Sequence, residues 1–413
     1  MLSLHAFITK DDMKTIQHHI LHTLSLVLIA TTLLSCDKDL PEPEKGPKDH
    51  TVIVYMGAEN SLSPYSLDDL YEMRNATQDI PENSQVVVYN DATAKPTILH
   101  LTKDGCVTWR EYGEELNSGD ASVMKEVLGD IISNFPSERY SLVLWSHGSG
   151  WIKAKRSPQR SIILDNGQNS MGDFGSWVEI DELAKILSAL PRMEYIFFDA
   201  CYMQSVEVAA ELYEHTPYII ASPTEIPGNG APYHLIMEAL CKADIQGIID
   251  GYASGYQGTY GVLLSAVYSA KYPDLCTETA KHIPQIFSKE EMPSIAGVQI
   301  YAPRYGSTAP NQDDVPVPYD LRSAMHRMLS AEDYTAWEFF WREAILYPRQ
   351  AKEWASKYTN NYYGPFHRSM QDPDHYGGIS MNIPDEKYDN KGWNSDFQQT
   401  KWYKLTSWEQ TGW

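Results

Sequence analysis

Two apolar runs in the chain end in side chains suited to nucleophilic catalysis. Residues 140–145 (YSLVLW) lead straight into Ser146-His147-Gly148, and residues 195–199 (YIFFD) lead into Ala200-Cys201. A free thiol with a pKa of about 8.5 is mostly protonated at neutral pH, and the thiolate is the nucleophile. A neighbouring imidazole stabilises the thiolate or takes its proton, then protonates a departing amine. Gly148 carries no side chain, so its N–H can approach a developing oxyanion, and the Cys201 N–H is the natural second donor. Asp199 stands beside the nucleophile, where a carboxylate is placed either to satisfy loop amides or to face a substrate side chain. Cys201 also precedes a stretch of helical spacing, whose positive end favours a thiolate.

These side chains must be carried to one place. They are 54 residues apart, with one helical stretch (180–190) between them. That is enough for one right-handed crossover, which would set the two strands side by side. Reactive groups collect at the carboxyl ends of parallel strands. Short β-branched runs at 51–56, 85–90 and 218–222 alternate with helical stretches at 67–73, 122–135 and 203–213. Residues 97–101 and 106–110 read as a hairpin around Lys103-Asp104-Gly105. The expected fold class is α/β, a mostly parallel sheet covered by helices on both faces. Further strands are expected at 261–268, 295–301 and 377–383, and further helices at 270–287, 319–329 and 331–346. The expected division is a catalytic core at 51–268 and an α+β extension at 269–413 packed on the core.

Composition removes several classes of function. The 413 residues hold 33 Lys+Arg against 55 Asp+Glu, a formal net charge of -22. Binding to a phosphate backbone needs the opposite balance. There is no HExxH, no paired CxxC, no GxxxxGK[ST] and no post-strand GxGxxG, so zinc-hydrolase and nucleotide chemistry have no motif. Five cysteines are too few, and odd, for a disulfide scaffold. Cys106, Cys241 and Cys276 read as packing residues. The C-terminal aromatics, from Trp337 to Trp413, read as core anchors rather than a glycan platform. Lys153, Lys155, Arg156 and Arg160 form the one dense basic cluster, either a solvated loop or a self-cleavage site. The oxygen-rich stretch 165–173 could loosely hold Ca²⁺ but lacks EF-hand spacing.

The N-terminus reads as an address. Residues 24–34 form an uncharged run of 11 residues, too short for the roughly 20 of a membrane span. It fits the apolar region of a signal peptide (residues 1–35). It ends in Leu33-Leu34-Ser35-Cys36, which resembles the lipobox of bacterial lipoproteins. By that resemblance Cys36 carries the lipid and begins the mature chain, which is exported and anchored to the cell envelope. Met13 is the better start than Met1. Residues 36–50, charged, proline-containing and free of aromatics, read as a tether.

The body of the chain resembles the clostripain-type cysteine peptidases, relatives of caspases, legumains and gingipains. The likeness is carried by VIVYMGAENSL (52–62), LVLWSHGSGW, EIDELAKIL, FFDACYMQSVEVA, ASPTEIPGNGAPY (221–233) and TKWYKLTSW. The spacing from His to Cys agrees with caspase-type peptidases. The resemblance implies a caspase-like fold and a His147–Cys201 dyad. It implies cleavage of peptide or protein substrates after Arg or Lys, with Asp199 near the base of the pocket for that side chain. Glu225 and Asn229 are the neighbouring pocket residues. No cofactor is required by the resemblance, Ca²⁺ activation is compatible with it, and a monomer is expected. The sequence departs from the family pattern at Ser149, at Tyr202-Met203-Gln204, at Ala231 in place of Trp, and at Asn229 in place of an acidic residue. These changes leave the nucleophile intact and fall on the pocket. The alternative reading is a decayed peptidase fold, a surface lipoprotein that binds a protein or glycan partner.

Overall fold

The computed structural model describes residues 47–92, 95–153, 161–167, 175–256, 261–301, 315–356 and 366–413. Its strands in chain order are β1 (Lys48–Gly57), β2 (Ser84–Asp91), β3 (Thr97–Thr102), β4 (Gly105–Glu111), β5 (Ser137–Trp145), β6 (Ile162–Asp165), β7 (Ser176–Val178), β8 (Met193–Asp199), β9 (Tyr218–Ala221), β10 (Leu264–Tyr268), β11 (Pro318–Asp320), β12 (Ile345–Arg349), β13 (Glu353–Ser356), β14 (Phe366–Ser369) and β15 (Ser380–Asn382). Nine of them form the central sheet, in the order β12-β10-β9-β8-β5-β1-β2-β3-β4.

The five middle strands are mutually parallel, from β9 to β2. From β1 the chain moves one way to β2, and later the other way through β5, β8 and β9. The order therefore reverses between β1 and β5, and the crevice at such a reversal is where open α/β sheets bind ligands. Parallel strands must be covered on both faces, and side chains alternate between two cores accordingly. Ile53, Tyr55, Leu142, Leu144, Ile196 and Phe198 enter one core; Val52, Val54, Val143 and Phe197 enter the other. Each such fully buried aliphatic or aromatic side chain stabilises the fold by about 1.5–3 kcal/mol.

Helices cover these faces where their apolar stripes allow. The first core receives α2 (Ala121–Asn134), buried at Met124, Val127, Leu128 and Ile131. Its start is set by the Asp120 side chain, which accepts from the Ser122 and Val123 amides. It also receives α3 (Ile180–Leu187), started by a Glu179/Glu182 capping box. The same face holds α4 (Val206–Leu212), α7 (Tyr272–Ile286), α8 (Leu321–Met328) and α9 (Ala331–Ala344). The second core receives α1 (Ser63–Asn75), α5 (Tyr233–Lys242) and α6 (Ile245–Gly255).

The C-terminal part is built into the sheet. β12 pairs antiparallel with β10 and forms the sheet edge. Trp337, Trp341, Trp354, Trp393, Trp402, Trp408 and Trp413 are all buried, as core anchors should be. Two expectations need correction. Residues 295–301 form no strand and make only a single bridge, Ile300 to Tyr319. The helix expected to run to residue 346 stops at Ala344, because Ile345 turns to an extended conformation and starts β12. The β6–β7 hairpin was not legible either; it follows the His147 loop and interrupts the expected simple crossover.

Candidate active site

Register brings the two chemical groups to one height. β5 and β8 pair with Trp145 level with Asp199, and His147 and Cys201 each lie two residues beyond that pair. The Gly148 backbone then closes on the Cys201 turn. A Cβ at Gly148 would stand 2.7 Å from the Cys201 carbonyl oxygen and 2.9 Å from Met203 Sδ. Such distances leave no room for any side chain, so glycine is what lets the two loops meet. Tyr202, next after Cys201, has a φ of 62°, a left-handed conformation costing a non-glycine residue about 1–2 kcal/mol. Its amide donates to Thr224 O at 2.9 Å, and the Gln204 amide donates to Ser222 O at 2.9 Å. The C-terminal residues brace this turn from behind. Trp354 Nε1 donates to Thr224 Oγ1 at 3.1 Å, and the Ser380 amide donates to Gln204 O at 3.0 Å.

His147 is held from the β1 side. Its Nε2 lies 2.9 Å from Ser61 Oγ. Ser61 is positioned by Asn60, whose Nδ2 donates to Gly57 O at 2.9 Å and to Leu164 O at 2.8 Å, tying the ends of β1 and β6 together. Cys201 is held by the segment after β9. The Ile226 amide points at Sγ from 3.4 Å. Burial pushes the Cys201 thiol up to about 12, with the Glu225 charge adding to the rise. The sulfur is thus a neutral thiol at pH 7. The helix expected to activate it begins five residues later, at Val206. The Ser205 side chain already accepts from its Val208 amide at 3.2 Å, so that helix end serves its own cap.

Asp199 is buried beneath the turn of Pro227–Gly230. Its Oδ2 accepts from the Ala231 amide at 2.9 Å and from Tyr233 OH at 3.1 Å, and Tyr252 OH lies 3.5 Å from Oδ1. Burial lifts its pKa to about 6, and these donors limit the rise, so it is ionised at neutral pH. A second carboxylate stands close by. Trp145 Nε1 donates to Asp69 Oδ2 at 2.6 Å. Sequence reading missed Asp69. The signal was there: it lies three residues after Ser66 and four before Met73, on the buried stripe of α1. Glu225 is half-buried near the sulfur, whereas Asn229 is exposed. Lys153 lies at the end of the described His147 loop; Lys155, Arg156, Arg160 and Cys36 lie outside the described residues.

Carboxylates also gather at the ends of β1, β2 and β6. Ligand atoms of Glu59, Glu115 and Asp165 lie within 4.8 Å of one another. Both Asp91 carboxylate oxygens and Glu59 Oε2 are buried without a hydrogen-bond partner among the described residues. Burial, with the neighbouring charge, pushes Glu59 up to about 8 and Asp91 up to about 9. Asp165 itself is partly satisfied by the Ser118 and Gly167 amides at 2.6 and 2.7 Å. Of the oxygen-rich stretch 165–173, only Asp165, Asn166 and Gly167 are described.

The model of the clostripain family of C11 peptidases matches residues 54–413. The structure is similar to that of a secreted C11 cysteine protease from Bacteroides thetaiotaomicron, solved with an irreversible peptide inhibitor. The TM-score is 0.73 at 28% identity, covering 87% of this chain and 99% of that one. It is similarly close to an inactive zymogen C11 protease from Parabacteroides distasonis, with TM-score 0.72, 26% identity and the same coverages. Clostripain from Hathewaya histolytica is 23% identical over 223 residues, 46% of this chain and 42% of that protein. The match thus spans less than half the length of that relative.

Proposed function

The chain belongs to the clostripain family, and from that premise we propose a cysteine endopeptidase that cuts on the carboxyl side of Arg or Lys, with Cys201 as nucleophile. The observation that carries the reading is the meeting of the His147 loop and the Cys201 turn through Gly148. Cys201 Sγ attacks the scissile carbonyl carbon while its proton passes to His147. The Gly148 and Cys201 N–H groups stabilise the oxyanion. Collapse breaks the C–N bond, and His147 gives its proton to the leaving amine. His147 then takes a proton from water, whose oxygen attacks the thioester carbon. The acid departs and the thiol is restored. In the resting structure the Ile226 amide faces Sγ and Ser61 Oγ lies against His147 Nε2, so both groups are engaged before substrate arrives. Asp199, buried and ionised beneath the same edge, suits a cationic P1 side chain. The apolar leader and the neighbour described as secreted support an exported enzyme. A peptide-library profile of residues 37–413 tests the specificity: cleavage should concentrate after Arg and Lys. Cleavage after acidic or apolar residues would overturn it.

The calcium expectation fits a definite set of donors. Glu59, Glu115 and Asp165 offer hard oxygens close to one another, with Asp91 near enough to feel the Asp165 charge, and Glu59 Oε2 is buried without a hydrogen-bond partner among the described residues, which suits Ca²⁺ rather than a thiolate- or imidazole-seeking metal. Bound there, Ca²⁺ would supply positive charge that steadies the Glu59–Ser61 segment leading to His147. The pH dependence has a definite sign. Glu59 and Asp91 have folded pKa values above their ordinary ones. The stability they contribute is therefore full below about pH 4 and is lost as pH rises through about 8 to 9. Ca²⁺ replaces the missing protons. It should raise the Tm more at about pH 9 than at about pH 5, and an equal shift at both would remove the site.

A further inference from the structure

We propose that Asp69, on α1, is a second specificity carboxylate of the P1 pocket, acting with Asp199 on the basic side chain of the substrate. This rests on the peptidase reading and goes beyond it, because that reading draws on Asp199 alone.

Three elements converge on one glycine. A Cβ built on Gly230 would lie 2.8 Å from Asp199 Oδ2, 3.2 Å from Trp145 Nε1 and 3.3 Å from Asp69 Oδ2. Two acidic side chains from distant parts of the chain thus have oxygens bordering the space that a side chain at position 230 would fill. Gly230 has a φ of +62° and is the only residue type that leaves both oxygens so close. Its own carbonyl is fixed by Tyr256 OH at 2.6 Å. Asp69 is 2% exposed and Asp199 3% exposed. Burying two carboxyl groups side by side is costly without a counter-charge.

The charges around Asp69 make the need plain. Asp199 faces it from the end of β8, with Asp68 and Glu72 on its own helix. Glu72 is paired with His234 of α5 at 3.0 Å. Burial, and then the Asp199 charge, push Asp69 up to about 9, so the unliganded pocket holds one ionised and one protonated carboxyl. A guanidinium or ammonium arriving between them replaces that proton, which leaves to solvent. The pair also accounts for a departure in the sequence. Asn229, where the family pattern often has an acid, is exposed, and the helix supplies the second carboxylate instead.

The test compares matched peptides that differ only at P1, carrying Arg, Lys or the uncharged isostere citrulline. Asp69→Asn copies the shape and charge of the protonated form, so the Tm should stay unchanged. Its kcat/KM should fall about 10- to 100-fold on the Arg and Lys peptides and stay within about twofold on citrulline. Equal loss on all three, or loss on none, would overturn the proposal. A wild type that cuts no peptide sinks the peptidase reading itself, and a wild type that ignores P1 charge sinks the basic specificity. Unmodified enzyme gives a second measurement, independent of how the variant folds. Calorimetry in two buffers should show about one more proton released near pH 7 by a P1-Arg peptide aldehyde than by its citrulline twin. Equal release by the two contradicts a shared proton at the pair.

Discussion

Cys201→Ala should lower kcat on a basic-P1 peptide by about 10⁵- to 10⁶-fold, down to the residue left by binding and oxyanion stabilisation alone. The substitution removes the atom proposed to form the acyl bond. The other described cysteines sit elsewhere: Cys241 and Cys276 are buried in the cores, and Cys106 lies on β4. The protein should still fold. Cys201 sits in a turn whose geometry is fixed by the Tyr202 and Gln204 amides rather than by the sulfur. Unchanged thermal unfolding together with lost turnover, measured on the same preparation, is the expected pair of results. The variant should also remain one chain under conditions where wild type is cut within its Lys153–Arg160 segment. Cutting of both, or of neither, would remove self-processing from the account.

His147→Ala should lower kcat by about 10³- to 10⁴-fold, at the upper end of what acid–base catalysis supplies. The larger consequence is in the pH profile of the thiol. Burial and the Glu225 charge both oppose the thiolate, holding Cys201 near 12. A thiol held protonated reacts at neutral pH only where a base takes its proton, and His147 in the adjoining loop is proposed as that base. Alkylation of wild-type Cys201 by a small uncharged reagent should therefore plateau around neutral pH. In the variant it should keep climbing with pH well into the alkaline range. A plateau that survives loss of His147 would assign thiol activation to some other group.

Much of this was legible because the chemistry sits where short apolar runs stop. The runs ending at Trp145 and Asp199 are strongly β-branched or aromatic and too short for helices, so both strand ends could be read from composition alone. Gly148 could be read as a close-approach residue, although the atom it approaches, the Cys201 carbonyl, depends on register that no local pattern specifies. Long-range pairing was the hidden part. Asp69 meets Trp145, Asp199 and Gly230 across separations of 76 residues and more, and only the folded sheet aligns them. β12 escaped notice because the apolar residues of α9 run on through Ile345 and Leu346 with no glycine or proline at the boundary. The Ile226 amide that faces the Cys201 sulfur was equally invisible, since it lies 25 residues further along.

The most direct test of the central claim is to map where an irreversible electrophile attaches. Residues 37–413 would be treated with a peptide acyloxymethyl ketone bearing Lys at P1, digested and sequenced by mass spectrometry. One adduct is expected, on Cys201, reduced in rate by His147→Ala and by excess basic-P1 peptide. An adduct on Cys106, Cys241 or Cys276, or intact thiols throughout, would contradict the assignment of Cys201 as the nucleophile.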